Sequence, residues 1–105
     1  MTEITLIRND QNYWIQFYVK DPDNNPVDLT DCTPKLKIQS YTSSFFKTIT
    51  GEVVDANAGI CRFKITDEFV DKTGEFRAEI ELNYSDGKIL TAPNITIKVL
   101  PDLPR

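Results

Sequence analysis

A chain of 105 residues with a formal net charge of -4 has room for one hydrophobic core and none for a second. Its acidic balance opposes nucleic acid and anionic membrane surfaces, so neither is expected as a partner. With no histidine, the usual base for a serine or cysteine nucleophile and the usual nitrogen ligand for zinc are missing.

No basic, apolar and small-residue leader opens the chain at Met1-Thr2-Glu3, and no apolar run reaches the ~20 residues that span a bilayer. The expectation is a soluble chain with neither a signal peptide nor a transmembrane segment.

Apolar residues alternate with a period of two through most of the sequence, and β-branched and aromatic residues dominate these stretches, which predicts strands. The first covers Glu3 to Arg8, with Ile4 and Leu6 on one face, and a polar turn follows through Asn12. The second, Tyr13 to Lys20, places Tyr13, Ile15, Phe17 and Val19 on the better core face. Trp14 and Tyr18 lie opposite, either covered by another segment or exposed as a contact surface. The run Asp21-Pro22-Asp23-Asn24-Asn25-Pro26 must interrupt regular structure, because it combines two prolines with residues that hydrogen-bond their own backbone.

Lys35 to Ser40 alternates again, with Leu36 and Ile38 inward. Phe45 to Val54 predicts an irregular strand, or two strands broken at Gly51, and Asp55 to Gly59 a hairpin-type loop. Ile60 to Ile65 gathers Cys61, Phe63 and Ile65 on one face. Thr66 to Lys72, a capping residue followed by acids, predicts one short helical turn ended by Gly74.

Phe76, Ala78, Ile80, Leu82 and Tyr84 alternate with Glu75, Arg77, Glu79, Glu81 and Asn83, the pattern of a central strand with a charged outer face. Ser85-Asp86-Gly87 closes a hairpin, Ile95, Ile97 and Val99 form the last strand, and Pro93 marks a bulge, a loop or an unpaired edge. About seven to eight short strands with turn signals between them predict an all-β fold, a sandwich or barrel. The expected domain covers residues 1–101, with residues 102–105 as a tail leaving the sheet at Pro101.

The chemistry is sparse. Cys32 and Cys61 lack zinc-finger spacing and read as free thiols, with a disulfide between them as the alternative. Glu79 and Glu81 share a strand face, as glycosidase carboxylates or any solvated face would. Asp21, Asp23, Asn25, Asp28 and Asp31 resemble the start of a calcium loop, but Pro26 and Cys32 stand where such a loop needs glycine and glutamate, so a turn rich in Asx hydrogen bonds is preferred. No catalytic residue, cofactor or metal ligand is therefore assigned. The aromatics Trp14, Tyr18, Tyr41 and one of Phe45 or Phe46, with Phe45 the choice, are the candidate interaction surface, for a protein partner or a stacked sugar.

Tyr18-Val19-Lys20-Asp21, Asn25-Pro26-Val27-Asp28-Leu29-Thr30, Gly59 to Ile65, Lys72-Thr73-Gly74-Glu75-Phe76-Arg77-Ala78-Glu79-Ile80 and Asp86-Gly87-Lys88-Ile89 together resemble small virion-associated domains of tailed bacteriophages, above all the amino-terminal domain of baseplate upper proteins. The resemblance implies an immunoglobulin-like antiparallel sandwich, a structural role in a tail, baseplate or head-to-tail assembly through self-association or docking, other phage structural proteins or a homo-oligomer as partners, and residence in a virion assembled in the host cytoplasm. It implies no catalytic residues. Asn24-Asn25 and Asp31 stand where such sequences commonly carry glycine, substitutions that Asn and Asp tolerate. A carbohydrate-recognition module using an aromatic sheet face is the rival expectation.

Overall fold

Alternation dictates which side chains are buried, and the computed structural model, which describes residues 2–8, 10, 12–41, 46–66 and 73–101, shows where each face goes. Its strands are β1 (Thr2–Ile7), β2 (Tyr13–Tyr18), β3 (Cys32–Ser40), β4 (Phe46–Thr50), β5 (Glu52–Asp55), β6 (Ile60–Ile65), β7 (Gly74–Tyr84) and β8 (Ile89–Leu100). They form a five-stranded sheet in the order β1-β8-β7-β3-β4 and a three-stranded sheet in the order β2-β6-β5. In immunoglobulin terms β3, β7 and β8 are the C-F-G layer, extended by β4, and β2-β6-β5 is the B-E-D layer. The fold is an immunoglobulin-like sandwich.

The pairings are antiparallel except that β1 runs parallel to β8, from Thr2 opposite Ile95 to Ile7 opposite Leu100. This departs from an all-antiparallel sheet, and alternation cannot reveal it, because a strand buries the same residues whichever way its neighbour runs.

The core lies between the sheets. Strand β7 supplies Phe76, Ala78, Ile80 and Leu82, β3 supplies Leu36 and Ile38, and β8 supplies Ile95, Ile97 and Val99. Facing them are Phe17 of β2 and Cys61, Phe63 and Ile65 of β6, with Phe17 and Phe63 edge to face at 5.7 Å between ring centroids. Burying each such large side chain contributes about 1.5–3 kcal/mol.

Three irregularities have local causes. Strand β3 begins at Cys32 and includes Pro34 opposite Leu82. Gly51, opposite it, donates its N–H to the Pro34 carbonyl at 2.9 Å, and the chain then leaves for the other sheet, so the proline lacks only the return bond at the very end of the β3–β4 ladder, where it is tolerated. At Gly51 the chain passes from the five-stranded to the three-stranded sheet, and a Cβ there would lie 2.5 Å from the Phe63 ring. Around Pro93 the register shifts from Ile80 opposite Ala92 to Ala78 opposite Ile95, so Glu79 faces both Pro93 and Asn94. That is a β-bulge, with Asn94 at φ 69°.

The expected turns are present. Asp21 Oδ1 accepts the N–H groups of Asp23 at 3.0 Å and Asn25 at 2.9 Å. Asn24 and Asp31, at positions where related sequences commonly carry glycine, sit at φ 67° and 58°. Gly59 has φ 71° and closes the loop after β5. The helical turn expected over Thr66 to Lys72 lies outside the described residues from 67 onward, as does the tail at 102–105.

Candidate interaction surfaces

Strand β2 carries Trp14, Gln16 and Tyr18 on the outer face of the three-stranded sheet because Tyr13, Ile15, Phe17 and Val19 turn inward. Trp14 is 43% and Tyr18 61% exposed. The Arg62 guanidinium lies over the Trp14 ring at 4.0 Å and is also ion-paired with Glu52. Gln16 Nε2 donates to the Tyr18 hydroxyl at 2.9 Å. This side of the sandwich thus carries two exposed aromatics with an amide between them in sequence, bonded to Tyr18, and one indole face stacked by a cation.

Tyr41 sits elsewhere, just after β3 at one end of the five-stranded sheet, where its N–H donates to the Glu75 carbonyl at 3.4 Å. Phe46, opposite Gln39 on β4, is 57% exposed, close to the 55% of Tyr41. Together with Gln39, Arg77, Glu79 and Asn94 they line a depression of about 320 Å³ on the outer face of this sheet. The bulge at Pro93 and Asn94 forms one of its walls. Among the described residues Arg77 has no acidic partner, whereas Lys37 reaches Glu81 at 2.6 Å and Lys98 reaches Glu3 at 3.5 Å.

Of the four aromatics singled out from the sequence, the three that are described therefore fall on two opposite faces. Trp14 and Tyr18 belong together, Tyr41 belongs with Phe46, and Phe45 lies outside the described residues. Sequence reasoning missed Arg62 and Arg77. The alternation of β6 and β7 sets both outward, but only the register places Arg62 opposite Gln16 and Arg77 opposite Gln39.

Several further polar groups have structural roles. Asp28 Oδ1 accepts from the Thr30 N–H and hydroxyl, which holds its carboxyl below the usual range. The bond from Lys37 does the same for Glu81, aided by Asn83. Cys32 and Cys61 are free thiols; burial pushes the Cys61 thiol up to about 12 and raises that of Cys32 as well. No group of three or more His, Cys, Asp or Glu among the described residues is placed to hold a metal ion. No helix among them is long and apolar enough to cross a membrane.

The structure is thus an immunoglobulin-like sandwich with exposed aromatics on both outer faces. The chain matches the BppU N-terminal domain family over residues 2–104 and belongs to it: it is a baseplate upper protein amino-terminal domain, a structural component of phage baseplates. No curated protein matches the chain.

Proposed function

We propose that the domain is a non-enzymatic part of a phage or prophage particle that holds its place by docking onto other tail or baseplate proteins. The observation that carries this reading is the division of the exposed aromatics between the two outer faces. A component built into an assembly needs a contact on more than one side, and aromatic and arginine side chains are the groups that dominate such contacts. On the five-stranded face Tyr41 and Phe46 line the same depression as Arg77, an aromatic pair with a cation available to a partner's carboxylate. On the other face Trp14 and Tyr18 stand 43% and 61% exposed. The sugar-binding alternative is weakened at Trp14, where Arg62 already occupies one face of the ring.

The test is co-purification of the domain with the tail and baseplate proteins encoded beside it, followed by affinity measurement for the pair that forms. Replacing Tyr41 and Phe46 by alanine is expected to weaken that pair by at least ~30-fold, as hot-spot truncation does. Unchanged affinity in Tyr41→Ala, Phe46→Ala, Trp14→Ala and Tyr18→Ala alike defeats the reading. Reproducible glycan binding lost on Trp14→Ala puts the sugar module ahead.

A further inference from the structure

The two sheets present four edge strands among the described residues, β1, β4, β2 and β5. Open edges offer unpaired backbone groups, and proteins usually blunt them with charge, brevity or bulges. Strand β1 carries Glu3, β4 carries Lys47, and β5 has four residues, two of them acidic, with a register shift. Strand β2, Tyr13-Trp14-Ile15-Gln16-Phe17-Tyr18, carries no charge, no proline and no bulge. It is the undefended edge.

Its hydrogen-bonding pattern is fixed by the pairing with β6. Val19 donates its N–H to the Gly59 carbonyl directly opposite, at 2.8 Å. By antiparallel alternation, the backbone groups of Phe17 and Ile15 also point at β6, and those of Trp14, Gln16 and Tyr18 point away from it. Among the described residues no other strand lies on that side of β2.

We infer that this edge pairs with the same edge of a second copy, antiparallel and two-fold symmetric about Gln16. Three residues with outward backbone groups then face one another: Trp14 meets Tyr18 of the second copy, Gln16 meets Gln16, and Tyr18 meets Trp14. Each such pair exchanges two backbone hydrogen bonds, about six in all. The side chains are self-complementary in the same register: each end rung joins an indole to a phenol and the central rung joins two amides. Cross-strand aromatic pairs of this kind stabilise a sheet, and no like charges are brought opposite each other within β2. The result is a continuous six-stranded sheet in the order β5-β6-β2-β2-β6-β5. A symmetric occupant is favoured over a foreign strand because the aromatic-amide-aromatic pattern reads the same in both directions. A small contact of this type is weak in isolation.

The inference deepens the docking reading by naming the occupant of one face, and rests on it for the view that this face is a contact. It is tested on the isolated domain with no other baseplate protein present. Light scattering should show the mass doubling from 12.0 kDa as concentration rises from about 1 µM toward about 1 mM. Gln16→Lys and Gln16→Glu each place like charges on the two-fold axis and should abolish the doubling. Mixing the two variants should restore it, since Lys then faces Glu. Thr5→Lys on β1, an edge that already carries charge, is the control and should dimerise like the wild type. Thermal unfolding confirms that each variant is folded. A wild type that stays monomeric, a Gln16→Lys protein that still dimerises, or a mixture that does not overturns the pairing, whereas the docking reading is judged by co-purification and affinity with the neighbouring tail and baseplate proteins.

Discussion

The Tyr84 hydroxyl donates to the Asp28 carbonyl at 2.7 Å, joining residues 56 positions apart. The bond ties the end of β7 to the connection between β2 and β3, and Lys88 Nζ lies over the Tyr84 ring at 4.3 Å. Tyr84→Phe removes the hydroxyl and keeps the ring. The expected cost is about 1 kcal/mol, the net value of one such bond, equivalent to roughly 4–8 °C in a domain of this size. Thermal denaturation of the two proteins checks it, and an unchanged midpoint means that the bond contributes nothing net.

Gly51 is the point where the chain changes sheets, and its sensitivity is steric. A methyl group there would lie 2.4 Å from the Arg62 carbonyl oxygen and 2.5 Å from the ring of Phe63, which is 0% exposed. Gly51→Ala is expected to destabilise by about 1–3 kcal/mol, the range for overpacking a dense core. Urea denaturation should show a lower midpoint with an unchanged slope.

Asn24 and Asp31 occupy left-handed backbone at φ 67° and 58°, which costs an L-residue more than it costs glycine. Asn24→Gly and Asp31→Gly are therefore expected to raise stability by up to about 1 kcal/mol each, the strain relieved exceeding the added freedom of the unfolded chain. The gains should add, since the turns are separate. A loss in both variants would mean that the side chains contribute more than the strain removes.

The carboxyl of Glu81 is held below its ordinary value of 4.5 chiefly by the bond from Lys37. With the folded value depressed, the unfolded chain binds more protons through the acid range. The contribution is complete above about 4.5 and is lost as pH falls through the folded value. Glu81→Gln should thus be less stable than the wild type at neutral pH and converge on it in acid. Urea midpoints measured from pH 7 down to about 2.5 test this, and a constant gap rules out Glu81 titration as the source.

Strands whose two faces differ sharply were the legible part of the fold. In β7 every second residue from Phe76 to Leu82 is buried, and in β6 Cys61, Phe63 and Ile65 are all at 0% exposure, as alternation requires. Pairing partners were not legible, because burial says nothing about which strand lies alongside. Hence β1 beside β8, and the change of sheet at Gly51, emerge only from the three-dimensional arrangement. Pro34 hid the start of β3, since its tolerance depends on where β4 stops. The aromatic site was half legible for the same reason. Spacing by two put Trp14 and Tyr18 on one face, but nothing local separates that face from the one holding Tyr41 and Phe46.

The parallel alignment of β1 with β8 places Thr2 beside Ile95, almost the whole chain apart. Loop closure over that distance must precede any gain from the contact, so this pairing raises the contact order and slows folding toward the milliseconds-to-seconds range of non-local β-proteins. During synthesis Ile4 and Leu6 have no ladder partner until β8 has left the ribosome. The domain therefore completes its larger sheet only after its last strand has emerged, and truncation within β8 should leave the amino terminus as accessible to protease as an unfolded segment.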